Sequence, residues 1–211
     1  MSFLKKLFGK PEQQRKLSRV DDLKVDDIFI FDDSFALPEL LRGAQFLVSA
    51  VNSYEYEHHT ETEWVLIDDR NTQIYLSLYK DDETYLKISL KLTDDDVAEL
   101  FDLDQFANIF EQGETIIDKH GDTPVGDGWS SDSYRQYTFA KVGYFHRKDH
   151  RSEQISEYQG KDQGERFELY QLEGSDDRFG MDLEVWDDGD TDVFLHMYRP
   201  LTDIKDMYPG S

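Results

Sequence analysis

The segment TYLKISLKL, residues Thr84–Leu92, decides the fold because its apolar and polar side chains alternate strictly. Successive side chains of a β-strand point to opposite faces, so this pattern predicts a strand with one apolar and one wet face. Further strands are predicted over Trp64–Ile67 and Ile74–Tyr79, with Asp, Asn and Gly turns between them. Together the three segments predict an antiparallel meander.

The second half of the chain repeats the pattern of the first. An offset of 107 residues aligns a whole hairpin and pairs Ile88 with Leu195, while SAVNSYEYEHH aligns with AKVGYFHRKDH at an offset of about 91. We therefore predict an internal repeat made of two β modules, residues 21–112, which end in helices, and residues 113–211. The alternative is a chance match, because Asp-Gly turns between alternating hydrophobics are common.

The predicted fold class is α+β, mainly antiparallel β, with two related small modules of meander or barrel-like form and short peripheral helices. Thr93 is the predicted N-cap of one helix, and the acidic residues 94–96 suit the positive end of its dipole. Asp104 is predicted to cap a second helix that stops at Gly113.

Charge is strongly segregated along this acidic protein. The 211 residues carry a formal net charge of −23, but residues 1–20 hold six basic residues and one acid, which leaves about −28 for the remainder. A body of this charge repels nucleic acid and anionic lipid, so we expect no direct binding of nucleic acid. The absence of cysteine excludes disulfides and thiolate zinc sites.

The N-terminal segment MSFLKKLFGKP, within residues 1–20, is basic and amphipathic when drawn as a helix. We expect it to dock on an anionic membrane surface or on a protein partner. The alternatives are that it folds back onto its own acidic domain or stays disordered. The predicted docking residues are Phe3, Leu4, Lys5, Lys6, Leu7 and Phe8.

Motifs for chemistry are missing from the sequence. It contains no nucleophile elbow, Walker A loop, HExxH helix or dinucleotide fingerprint, so we expect a protein that is not an enzyme and that has no catalytic residue, cofactor or metal. The run DDGDTD, residues 187–192, lacks the Gly and Glu of an EF-hand loop, and a hairpin turn explains it better. Trp129 and Trp186 are the candidate recognition residues, although core packing is the default for large aromatic rings.

Four stretches carry a resemblance to known proteins: MSFLKKLFGKP, LKVDDIFIFDD, TEWVLIDD and LEVWDDGD. They are similar to uncharacterised bacterial domains of unknown function, whose members are small cytoplasmic accessory proteins often encoded near membrane-stress or channel-like proteins. The resemblance implies an accessory role and brings no catalytic residue with it.

These observations lead to a functional hypothesis of a non-enzymatic interaction or adaptor protein. It is expected in the cytoplasm, with a peripheral position at the inner membrane face if the basic segment binds lipid. The rival hypothesis is an acidic nucleic-acid mimic that binds basic DNA- or RNA-binding proteins. The sequence gives no oligomeric state.

Overall fold

A computed structural model describes residues 15–121, 123, 127–152 and 164–210. In this part of the chain, eleven strands and two short α-helices follow one another in a fixed order. The elements are β1 (Ile28–Phe31), β2 (Gln45–Glu55), β3 (Thr60–Ile67), β4 (Gln73–Lys80), β5 (Thr84–Leu92), α1 (Asp94–Leu100), α2 (Leu103–Ala107), β6 (Ile116–Asp118), β7 (Ser133–His146), β8 (Glu165–Gly174), β9 (Phe179–Trp186), β10 (Thr191–Pro200) and β11 (Ile204–Tyr208). The predicted fold class, mainly antiparallel β with short helices, is confirmed.

All the described strands belong to one antiparallel sheet, in the order β11-β1-β2-β3-β4-β5-β10-β9-β8-β7-β6. The two predicted modules therefore share a sheet, which they join through β5 and β10. A second junction between β2 and β7, centred on Tyr54 and Phe145, closes eight of the strands into a ring.

Both junctions are symmetric about residue pairs that the predicted repeat treats as equivalent. Ser89 pairs with His196, which lies 107 residues later, and Tyr54 pairs with Phe145, which lies 91 residues later. Two copies of one module would pair in this way if a two-fold axis related them. The duplication and the module boundaries themselves stay predictions.

The apolar face of the ring points outward and is covered by the rest of the chain. Over β3 to β5 it packs against β1, the segments around Leu23 and Leu41, and the ring of Trp129. Over β8 to β10 it packs against α1 and α2. The hydrophobic core therefore lies mainly between the ring and its covering segments, and the opposite face of each strand is turned inward.

The helices that cover the second apolar face begin at local side-chain caps. Thr93 caps α1 as predicted: its hydroxyl accepts from the Asp96 amide at 3.2 Å, and the Asp96 carboxylate accepts from the Thr93 amide at 2.9 Å. The predicted cap at Asp104 is wrong, because α2 begins one residue after Asp102, whose carboxylate accepts from the Gln105 amide. A 3-10 turn, Asn108–Phe110, then ends this helical region.

A buried carboxylate ties both ends of the described chain to the sheet. Asp27 is 1% exposed and accepts from the backbone amides of Lys24 at 2.7 Å and Gly210 at 2.8 Å. It also forms an ion pair with Arg15, while Leu17 packs on the neighbouring apolar cluster. This anchor holds Arg15, the first described residue, against the domain.

Replacing the anchor is expected to destabilise the protein. Asp27→Ala leaves two amides and one guanidinium without their acceptor and should lower the free energy of unfolding by about 3 kcal/mol in a urea titration. The control is Asp69→Ala, which removes an exposed turn carboxylate. Equal stability of the two variants would contradict the anchor.

Candidate functional site

The interior of the ring is a polar passage that follows the inward residues of the strands. Along β4 these are Gln73, Tyr75, Ser77 and Tyr79, and they progress from one mouth of the ring to the other. Tyr54 of β2 and Glu184 of β9 line the same small cavity from opposite sides of the ring, so this face is inside. We divide the interior into a polar layer and two mouths.

The polar layer consists of buried charged and amide side chains. Its members are Asn52, Tyr54, Glu63, Lys87, Gln171, Asp182, Glu184 and His196. Five of its members, Tyr54, Glu63, Lys87, Asp182 and Glu184, line a cavity of only about 40 Å³, which leaves room for little more than water.

An ion pair between Lys87 and Asp182 forms one side of this layer. The Lys87 ammonium donates to Asp182, and the Gln171 amide donates to the same carboxylate at 3.2 Å. Burial alone would raise the pKa of Asp182, but the charge of Lys87 and the hydrogen bonds from Lys87 and Gln171, together with His196, outweigh burial and hold that pKa below its ordinary value. Burial alone would lower the pKa of Lys87, but the neighbouring negative charges, Asp182 foremost, raise this pKa above its ordinary value. Both groups are therefore charged at neutral pH.

Two carboxyl groups from opposite halves of the chain form the other side. Glu63 accepts from the Asn52 amide at 2.9 Å and from the Tyr54 hydroxyl at 3.3 Å. Burial raises the pKa of Glu63 to about 7 despite these hydrogen bonds. Burial, and then the charge of Glu63, also raise the pKa of Glu184 well above its ordinary value. The pair favours a state with fewer than two negative charges.

His196 lies where the polar layer meets the second mouth. Its ring is 1% exposed and its Nε2 is 3.1 Å from the Tyr198 hydroxyl, while Nδ1 has no hydrogen-bond partner among the described residues. Burial, and then the charge of Lys87, lower the pKa of His196 to about 3, so the imidazole is neutral at pH 7. Gly180 is required beside it, because a Cβ there would lie 2.3 Å from Nε2.

The first mouth, which we name the basic mouth, opens into a cavity of about 880 Å³. Its walls include the ring of Trp186, whose centroid is 5.4 Å from that of Phe167. Its rim carries four basic residues, Lys24, Lys91, Arg147 and Lys148, and two acidic residues, Asp149 and Asp192. Lys91 pairs with Asp192 at 2.6 Å and Arg147 with Glu165 at 3.2 Å.

The second mouth, which we name the tyrosine mouth, encloses about 550 Å³. Five of its lining residues are aromatic and three are acidic. The aromatic residues are Tyr79, Tyr85, Tyr137, Phe179 and Tyr198, and the acidic ones are Asp81, Glu173 and Asp177.

The structure places the predicted site residues in three different settings. Trp186 lines the basic mouth, whereas Trp129 is 2% exposed and packs in the apolar cluster outside the ring. Phe3, Leu4, Lys5, Lys6, Leu7 and Phe8 lie outside the described residues. A recognition or docking role for any of them stays a prediction.

Two further features of the described residues bear on function. No group of three or more His, Cys, Asp or Glu side chains there could hold a metal ion. Neither of the α-helices, nor any other described helix, has the length and apolar character that crossing a bilayer requires.

Sequence reasoning did not find the polar layer. It assigned Lys87 and Ser89 to a wet face, which is the usual position for polar residues that alternate with leucines. The sequence does contain an indication of the polar layer. Asp182 and Glu184 on one strand, and His196 on the strand that follows it in the predicted hairpin, alternate with apolar residues. Charged residues on both strands of a buried pair indicate an enclosed polar face.

A comparison of the sequence with protein families gives a match to DUF4178, a domain of unknown function, over residues 40–196. The chain belongs to the DUF4178 family. The match spans β2 to β9 and most of β10, so it covers nearly the whole ring, while residues 1–39 and β11 lie outside it. No curated protein and no solved structure matched the chain. The predicted membership in an uncharacterised domain family is confirmed.

The raised pKa of Glu63 gives the stability of the protein a pH dependence. Its folded-state pKa of about 7 exceeds the ordinary value of 4.5. The stabilisation of the folded protein by protonated Glu63 is therefore complete below pH 4.5 and is lost as pH rises through 7. A shift of this size corresponds to on the order of 3 kcal/mol. Denaturant titrations from pH 5 to 8 should show a smaller loss of stability in Glu63→Gln than in the wild type.

The exposed Glu83→Gln variant serves as the matched control, because it removes the same charge from a turn. It should follow the wild-type pH profile. If Glu63→Gln and the wild type lose stability equally over this range, Glu63 is not the titrating group.

Proposed function

We propose that the protein is a non-enzymatic accessory protein that docks on an anionic membrane surface through residues 1–20. The observation that carries this proposal is a cluster of basic residues where the N-terminal segment joins the domain. This basic surface comprises Arg15, Lys16, Lys24, Arg147, Lys148 and Arg151, beside the acidic Asp21, Asp22 and Asp149. Because Arg15, Arg147 and Arg151 are paired with Asp27, Glu165 and Asp149, the proposal depends mainly on Lys16, Lys24 and the lysines that precede them in the sequence.

The anchor at Asp27 supports a single docking geometry. Asp27 holds Arg15 at the basic surface, and Lys5 and Lys6, which precede Arg15 in the sequence, add charge of the same sign. Each basic residue near an anionic leaflet contributes roughly 1 kcal/mol. The strongly acidic remainder of the chain is repelled by the same leaflet, which orients the basic mouth toward the lipid.

A membrane is preferred over a protein partner because the basic surface is spread over several segments. Lys16 and Lys24 are exposed, and the apolar anchors Phe3, Leu7 and Phe8 belong to the same segment as Lys5 and Lys6. A cationic segment with interspersed aromatic and aliphatic side chains suits a lipid interface. The corresponding location is the cytoplasmic face of the inner membrane.

A non-enzymatic role is supported by the way the buried ionisable groups satisfy each other. Lys87 is paired with Asp182, and Glu63 is hydrogen-bonded by Asn52 and Tyr54, so these groups act first on one another. The alternative, a nucleic-acid mimic, rests on the net charge alone.

Vesicle sedimentation tests the docking proposal. Comparing phosphatidylcholine vesicles with and without phosphatidylglycerol distinguishes binding that requires anionic lipid from binding that does not. We expect the full chain to sediment only with anionic vesicles, and Lys5→Glu/Lys6→Glu or Lys24→Glu to weaken binding by at least about fivefold. Raising the salt concentration should weaken binding as well.

Lys80→Glu is the matched control for Lys24→Glu, because Lys80 is equally exposed but ends β4 near the tyrosine mouth. It should bind like the wild type. Equal effects of the two reversals, or equal binding to neutral and anionic vesicles, would overturn the proposal.

A further inference from the structure

The tyrosine mouth combines aromatic faces with an acidic rim at the end of the ring opposite the basic surface. Tyr79 and Tyr85 are direct cross-strand partners, and the ring centroids of Tyr79 and Tyr198 are 4.8 Å apart. Tyr137 of β7 closes the circle and is 56% exposed. These rings therefore surround one opening and remain accessible to a ligand.

The charge around this opening is negative. Asp81, Glu173 and Asp177 line it without an ion pair between them and any described basic residue. Among the described lining residues, Arg178 is the one Lys or Arg; its guanidinium is held by Asp176 at 2.9 and 3.1 Å and lies 5.5 Å from the centroid of the Phe179 ring. Deeper in the ring, Asp182 neutralises Lys87.

The inner end of the cavity is polar but uncharged. His196 lines it, is 1% exposed, and its Nδ1 has no hydrogen-bond partner in the described part of the chain. Because burial lowers its pKa to about 3, the ring adds no positive charge that would repel a cation. Nδ1 lies 3.9 Å from the Asp182 carboxylate, beyond hydrogen-bond distance, while Nε2 and the Tyr198 hydroxyl, 3.1 Å apart, form the polar inner end of the cavity.

We propose that the tyrosine mouth binds a small organic cation with an alkylated ammonium group, such as a trimethylammonium compound. Aromatic faces attract such a cation through their quadrupoles, and the attraction is larger where the site is partly desolvated. The carboxylates stand at the rim, where they add long-range attraction but do not supply close acceptors for several N–H groups. A cation without N–H donors fits this arrangement better than a primary amine.

The acidic rim also distinguishes between a free trimethylammonium compound and the same group in a lipid headgroup. A phosphocholine headgroup would bring its phosphate close to Asp81, Glu173 and Asp177, which repel it. The ligand is therefore a free cation and not a lipid headgroup. A cavity of about 550 Å³ accommodates a molecule of this size.

Isothermal titration calorimetry with three soluble probes tests the proposal on the full chain. The probes are choline, phosphocholine and 3,3-dimethylbutan-1-ol, the uncharged carbon isostere of choline. We expect choline to bind and the other two to bind at least about tenfold more weakly, because one adds a repelled phosphate and the other lacks the charge. Equal binding of choline and the isostere would overturn the proposal. It would also be overturned if no choline binding were detected at a ligand concentration of about 10 mM, which corresponds to a very weak dissociation constant.

Variants locate the binding in the tyrosine mouth. Tyr79→Leu should weaken choline binding by at least about fivefold, whereas Tyr79→Phe, which keeps the ring, should bind within about twofold of the wild type. Tyr208→Leu is the matched control, since Tyr208 is similarly exposed and lies on β11 outside the mouth. Thermal unfolding of each variant checks that the fold is kept. Unchanged binding by Tyr79→Leu, or equal losses in Tyr79→Leu and Tyr208→Leu, would overturn the assignment.

Discussion

The pairing of β2 with β7 is the constraint on which the rest of the structure depends, because it determines which face of the sheet is enclosed. Only three residue pairs form the junction, centred on Tyr54 and Phe145. Buried side chains reinforce it: Glu55 contacts His146 at 2.9 Å, and Ser53 bridges the Lys148 carbonyl and the His150 amide. With the ring closed, the leucine-rich face points outward and needs the helices, β1 and Trp129 as a cover. The polar face becomes a passage with two mouths.

A polar interior is costly, and the arrangement of its groups shows how the cost is limited. Removing a charge from water is offset only where the charge is paired and its remaining hydrogen-bonding capacity is used. Lys87, Asp182 and Gln171 meet this condition, whereas Glu63 and Glu184 are held at raised pKa values instead. The same layer separates mouths of opposite character. One end of the ring carries the basic surface, and the other carries the tyrosine rings and the acidic rim, so the two proposed interactions use opposite ends of one body.

The sequence predicted the elements better than their environment. Strict alternation located β5 and its neighbours, and the Thr93 cap followed from local chemistry, because both depend on residues close in the chain. Alternation shows which side chains share a face but not which face meets solvent, since that depends on a partner strand about 90 residues away. For this reason Lys87 was assigned to water although it lies in the ring, and Trp129 could not be placed. The docking segment, residues 3–8, could be argued only from its composition and charge.

The central claim is that β2 and β7 pair and enclose the polar face. The most direct measurement is NMR of the isotope-labelled full chain, which reads backbone contacts and amide exchange at that junction. The account predicts cross-strand backbone NOEs between Tyr54 and Phe145 and between their neighbours, together with slow exchange of the junction amides. Absence of these NOEs, while those between β2 and β3 and between β7 and β8 are present, would mean an open sheet and would contradict the account.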